Sequence, residues 1–213
     1  MRVCCISDLH GVLPKIPECE LLIIAGDICP VWNHRVSFQS DWLQSTFRSW
    51  LYELPTSKVI AVAGNHDWIF EKRPDLVPHL DWHYLQDNSV YVNGLKIYGL
   101  PWQRTFNNWA FNLDEPELDE KYRAIPKDAD IIVSHGPAFE CGDRAPRDND
   151  AGYENTGNKV FLKRIIEIQP KLVVTGHIHC DVGYWSVGKT LVINASILND
   201  RYEYKYGPRI IDL

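Results

Sequence analysis

A chain of 213 residues with 45% apolar and 23% charged side chains has the make-up of an ordinary globular protein, which excludes a disordered or collagen-like polypeptide. Its formal net charge of −6 disfavours attraction to nucleic acid or to an anionic membrane surface. No stretch approaches the roughly 20 apolar residues of a membrane helix, no apolar secretion region follows Arg2, and the six cysteines form no C-x-x-C pair. The expectation is one cytoplasmic domain, residues 1–213, with no separate cap, reduced thiols and no membrane partner.

In chain order, residues 3–7 form a short apolar run that stops at Asp8 and His10, and residues 21–25 form another that stops at Gly26-Asp27. Residues 37–54 then place Phe38, Trp42, Leu43, Phe47, Trp50 and Leu51 at helical spacing. A third run, 59–63, ends in Gly64-Asn65-His66-Asp67. Within 83–100, Asn93-Gly94 between two apolar stretches signals a hairpin. A fourth run, 131–134, leads to His135. The polar segment 140–158, with Arg144, Arg147 and five acidic residues, reads as a rim or lid. Residues 160–168 have helical periodicity closed by Pro170, and a fifth run, 172–175, leads to Gly176-His177-Ile178-His179. Two antiparallel pairs close the chain, 184–187 with 191–194 and 202–206 with 209–211.

Unbroken runs of β-branched residues are the mark of strands buried on both faces, so the five runs predict parallel central strands. The antiparallel pairs beside them predict a mixed, layered α/β sandwich. Ligands bind at the carboxyl ends of such strands, where loops converge over a rigid platform. There Asp8, His10, Asp27, Asn65, His135, His177 and His179 all fall. Taken singly, each has a plainer role: the aspartates as turn caps, Asn65 in a left-handed turn, His135 as a satisfied core histidine. Taken together, their nitrogen and oxygen donors suit manganese, iron, zinc, nickel or cobalt, and seven donors exceed what one tetrahedral ion uses. Cys29 and Cys180 lie near these residues, with small apolar packing favoured over a soft-ligand role.

The order Asp8-x-His10, Gly26-Asp27, Gly64-Asn65-His66-Asp67, His135 and Gly176-His177-x-His179 resembles the calcineurin-like metallophosphoesterase superfamily. Trp109-Ala110-Phe111-Asn112, Ser134-His135-Gly136-Pro137 and Ile193-Asn194-Ala195-Ser196 extend the likeness to its small metallophosphoesterase-domain phosphodiesterase branch. The resemblance implies a four-layer αββα sandwich with two mixed central sheets flanked by helices. It also implies two divalent ions, manganese, iron, zinc or nickel: one on Asp8, His10, Asp27 and His179, the other on Asp27, Asn65, His135 and His177, with Asp27 bridging. Two dications against two carboxylates leave an excess charge of about +2 to receive a phosphate oxygen, and a metal-bound hydroxide would be the nucleophile.

Asn65 and His66 are then expected at the substrate. His66, which follows a ligand without being required as one, is the candidate proton donor to the leaving oxygen, with Asp67 orienting it and keeping it protonated near neutrality. Trp32, Trp68, Trp102, Trp109 and Tyr153 are candidates to stack on a base or aryl group, each weighed against core capping. The favoured activity is hydrolysis of a small phosphodiester, such as a cyclic nucleotide, and not of extended nucleic acid. The alternatives are a phosphomonoesterase or protein phosphatase on the same site, and a non-catalytic binding scaffold.

Overall fold

The computed structural model describes residues 1–147 and 152–213. The first apolar runs become β1 (Arg2–Ile6) and β2 (Leu21–Ala25), and β2 is buried at every position, as an unbroken Leu-Leu-Ile-Ile-Ala run requires. The expected long helix follows as α1 (Val36–Trp42), a π turn (Leu43–Phe47) and α2 (Arg48–Tyr52). The π turn adds a residue to the helical repeat. Trp42, Leu43, Phe47 and Leu51 all come to lie in the core under the same sheet.

Next come β3 (Val59–Val62), α3 (Trp68–Lys72), a 3₁₀ turn (Pro74–Leu76) and β4 (His83–Tyr84). The Asn93-Gly94 hairpin is present, joining β5 (Asn88–Val92) to β6 (Leu95–Leu100), with both turn residues at positive φ. It is shorter than its sequence span. His83 and Tyr84 pair parallel with β3, in the other sheet. The pair β7 (Gln103–Arg104) and β8 (Asn112–Leu113) precedes α4 (Glu115–Arg123), β9 (Ile131–Ser134), and the two-stranded ribbon of β10 (Arg144–Pro146) and β11 (Tyr153–Asn155). That ribbon occupies the polar segment 140–158, of which 148–151 lie outside the described residues.

Helix α5 (Lys159–Ile168) starts where the Asn158 side chain accepts from the Phe161 amide at 2.8 Å and ends at Gln169 in the left-handed region, just before Pro170. β12 (Leu172–Thr175), β13 (Gly183–Val187), β14 (Thr190–Asn194) and β15 (Arg209–Asp212) complete the chain.

Two mixed sheets result, ordered β15-β1-β2-β3-β4 and β13-β14-β12-β9-β6-β5. Val3, Cys5, Ile23 and Ile60 of the first pack face to face on Ile97, Ile131, Val174 and Ile193 of the second. α1, α2 and α3 cover the outer face of the first sheet, while α4 and α5 cover that of the second, with Tyr122 stacked on Phe161 at 4.3 Å. The four-layer sandwich is therefore present.

One expected hairpin is not. β15 forms, but pairs antiparallel with β1 at the sheet edge. Residues 202–206 form no strand: the Asn199 side chain accepts from the amides of Arg201 and Glu203, winding the chain into a turn with Tyr202 at φ 60°.

The sheets meet at one end, where Ser7, just beyond β1, bridges Ser196, just beyond β14. The Ser7 amide donates to Ala195 and the Ile197 amide to Ser7. The carboxyl ends of β1, β2, β3, β9 and β12 all open on this junction.

Candidate metal centre

Four of the seven candidate ligands leave their strands through left-handed backbone: Asp8 at φ 54°, His10 at 44°, Asp27 at 53° and His177 at 72°. Non-glycine residues in this region carry strain that the surrounding fold must offset, and such residues collect at functional sites. Gly176 shows how tightly the loops close. A Cβ there would run into Ser7 Oγ and Asp8 Oδ2. Gly176→Ala is expected to destabilise the metal-free protein by about 1–3 kcal/mol through overpacking, readable as a lower urea midpoint; an unchanged midpoint would contradict this.

All seven candidate ligands come together, in two groups. His10 Nε2 lies 3.2 Å from His179 Nε2 and 3.5 Å from Asp27 Oδ2, and His179 Nε2 lies 3.2 Å from Asp8 Oδ1. Beside them, His135 Nε2 lies 3.5 Å from Asp27 Oδ2 and 2.9 Å from Asn65 Oδ1, which is also 2.8 Å from His177 Nδ1. Asp27 Oδ2 belongs to both. Ligands bonded at about 2.0–2.2 Å to one cation in tetrahedral or octahedral array stand roughly 2.8–3.6 Å apart, so every one of these contacts has the length of a coordination edge. The donor set fits two divalent ions.

Partners further out hold the donors in place. His135 Nδ1 sits 2.9 Å from the Ala25 carbonyl and His179 Nδ1 3.1 Å from the Asn199 carbonyl, which turns each Nε2 inward. The His177 amide donates to both oxygens of Asp8, and the His66 amide donates to Asp27 Oδ1 at 2.7 Å. Asn194, fully buried, donates to the carbonyls of Gly142, Ile178 and Asp181, pinning the loop that carries His177 and His179. The Ala110 amide donates to the Asn65 carbonyl. Two of the stretches that carried the sequence resemblance thus act on the loops that present the donors.

Asp8 and Asp27 are 0% and 2% exposed, and two buried carboxylates side by side require positive charge. Burial alone would raise both groups. The imidazoles of His179 and His135 instead bring Asp8 down to about 2, and those of His135, His66 and His10 hold Asp27 well below the carboxylate range. Against its own burial, His135 is raised to about 9 by Asp27 and Asp8. His10 and His177 are pushed down to about 3, chiefly by burial. Such low values leave those two rings neutral, with lone pairs to give to a cation.

His66 is buried beside the ligands and lines the cleft, but Asp67 does not orient it. The Asp67 carboxylate turns away to accept from the amides of Ile28, Cys29 and Gly64, so it braces the second and third ligand loops against each other. In its place a residue that no motif marks, His34, sets Nε2 3.0 Å from His66 Nδ1. Nor is the His66 imidazole raised as expected; burial lowers it. A second unforeseen neighbour, Tyr202, meets His10 and His179 edge-on at 4.9 and 5.2 Å.

The candidate stacking residues separate. Trp109 lies 4.2 Å from the His66 ring and lines the cleft; Trp68 is buried, and Trp102 donates to Asp87 from a half-buried position. Trp32 and Tyr153 are exposed. Cys29 is buried in the core and the Cys180 thiol donates to the Arg144 carbonyl, and among the described residues no cysteine joins a cluster of candidate ligands. The cleft over the centre has a volume of about 660 Å³ and takes in Ala145, Pro146 and Glu154 of the β10–β11 ribbon as part of its rim. No helix among the described residues is long and apolar enough to cross a membrane.

The chain is similar to known proteins over its whole length. The chain is 32% identical over 241 residues to human metallophosphoesterase domain-containing protein 1, spanning all of this chain and 71% of that protein. It is 29% identical to the Caenorhabditis elegans UPF0046 protein T07D4.2, spanning 60% of that protein. Among solved structures, TT1561 of Thermus thermophilus superposes with a TM-score of 0.60 over 99% of this chain and 98% of that one, at 14% identity. The phosphopantetheinyl hydrolase of Mycobacterium tuberculosis does so with 0.58 over 98% and 95%, at 15% identity. The model of the calcineurin-like phosphoesterase family matches residues 1–181, and the chain belongs to that family of metal-dependent hydrolases of phosphate esters.

Proposed function

We propose that the chain is a dinuclear metal-dependent phosphodiesterase acting on small phosphodiesters. The observation that carries this reading is the sharing of Asp27 Oδ2 between two groups of donors. Asp8, His10, Asp27 and His179 would hold one ion, and Asp27, Asn65, His135 and His177 the other. Bound there, manganese, iron, zinc or nickel supplies an activated water and Lewis-acid stabilisation of the phosphoryl oxygens.

The chain's own residues do the rest. Asn65 brings a donor oxygen without a charge, so the centre keeps its attraction for an anion. His66 Nδ1 is taken by His34, while Nε2 has no hydrogen-bond partner among the described residues and serves as the proton source for the leaving oxygen. Trp109 packs on the His66 ring and limits its access to water.

Charge in the cleft supports a diester. Among the described residues that line it only Arg104 carries a fixed positive charge, and Arg104 also faces Glu115 at 3.5 Å; Glu154 and Asp200 line the same space. Such walls suit a singly charged ester better than a dianionic monoester, and they repel the backbone of extended nucleic acid. Parallel rates on bis-p-nitrophenyl phosphate and p-nitrophenyl phosphate, with manganese, nickel or zinc restored to metal-free protein, test the reading. The diester should be cleaved faster by each active metal form. A faster monoester rate would assign a phosphomonoesterase, and no metal-dependent rate on either would leave a binding scaffold.

A further inference from the structure

Among the described residues, Trp109, His10 and His34 lie against the ring of His66. Trp109 lies against it at 4.2 Å, and Gln39 fixes its backbone by donating to the His66 carbonyl at 2.7 Å while accepting from the Ile69 amide. Among the described residues, His34 alone hydrogen-bonds a ring nitrogen. It sits in the loop after β2, half-buried, with its own ring edge-on to Trp109 at 5.1 Å. Asp67, the carboxylate nearest in sequence, is fully occupied by three backbone amides. An imidazole can rotate about its last bond and exchange its nitrogens, so something must decide which one faces the substrate.

We propose that His34 is a positioning residue for His66: its Nε2 captures His66 Nδ1 and thereby presents His66 Nε2 to the leaving oxygen. This rests on the reading of His66 as proton donor. When the pair enters the step with one added proton, it carries three ring N–H groups, one on His34 Nδ1, one between the rings and one on His66 Nε2. As the P–O bond to the leaving group breaks, the His66 Nε2–H bond breaks and an O–H bond forms on the leaving oxygen. The proton between the rings then settles on His66 Nδ1, and both rings end neutral. A hydrogen-bonded pair of this kind spares His66 the imidazolate that a lone neutral ring would become.

The test measures kcat and KM of the manganese-loaded wild type, His34→Ala, His34→Gln and His66→Ala on aryl methyl phosphates whose phenol leaving groups rise in basicity. Loss of a correctly held proton donor penalises poor leaving groups more than good ones. His34→Ala is expected to lower kcat about tenfold on the most basic phenol and less than twofold on p-nitrophenol, with KM little changed. His66→Ala should bend the series the same way and further, and His34→Gln, whose amide nitrogen reaches the position of Nε2, should recover most of the loss. Nitrogen NMR of the zinc-loaded protein should show one His66 tautomer in the wild type and a mixture in His34→Ala. If His66→Ala steepens the series and His34→Ala leaves it parallel to wild type, the positioning role is wrong and the donor role stands. If His66→Ala itself leaves the series parallel, both are wrong.

Discussion

Asp27→Ala is expected to abolish metal-dependent hydrolysis and to leave the purified protein with fewer than one tightly held ion per chain. The argument lies in what one carboxylate does. Its Oδ2 stands 3.5 Å from His10 Nε2 and 3.5 Å from His135 Nε2, so its loss opens both donor groups at once, while Oδ1 holds the His66 amide at 2.7 Å. Removal also halves the negative charge of the proposed ligand set, leaving Asp8 as the only carboxylate opposite two dications. Asp27→Asn separates the two contributions, since it preserves the shape and can preserve the bond to the His66 amide but not the charge. Elemental analysis after dialysis, alongside turnover of bis-p-nitrophenyl phosphate, gives the answer; an Asp27→Ala protein that still retains two ions would refute the bridging assignment.

His66→Ala should behave in the opposite manner towards metal. Turnover of a diester with a basic leaving group is expected to fall roughly a hundredfold, the lower range for loss of a general acid, with metal content unchanged. The distinction matters because His66 also falls within reach of His10 and Asp27 as a possible ligand trio. Its Nδ1 is engaged by His34 and its contact with Asp27 runs through the backbone amide, so the imidazole is not needed to complete either donor group. Loss of metal in His66→Ala would make it a ligand; full turnover would remove it from the chemistry.

The central strands are legible in the sequence because burial on both faces leaves a local trace: Leu21 to Ala25 has no polar residue to alternate with, and the structure buries all of it. The seven donors are legible for a related reason, since each lies just past such a run. Contacts between distant loops leave no such trace. Asp67 looks like the partner of His66 because it is next to it, but the turn that starts α3 sends the two side chains in different directions, and only the fold reveals that Ile28, Cys29 and Gly64 wait for the carboxylate. His34 is some thirty positions away in a loop without any motif. Around Tyr202 the sequence misleads: the Tyr-Glu-Tyr-Lys-Tyr alternation mimics a strand, while the Asn199 side chain, a local feature, winds it into a turn. Helix α4 escapes a search for apolar periodicity because it buries only Leu118 and Tyr122; its charges are the available sign, with Glu115 and Glu117 in the first turn and Lys121 and Arg123 in the last.

Asp8, His10, Asp27 and Asn65 emerge from one sheet and His135, His177 and His179 from the other, so neither half of the sandwich owns a complete pocket for an ion. On the proposed assignment, a nascent chain with only its first sheet docked cannot assemble the second cluster at all. Completion of either donor set then waits on the closing of the two halves upon each other.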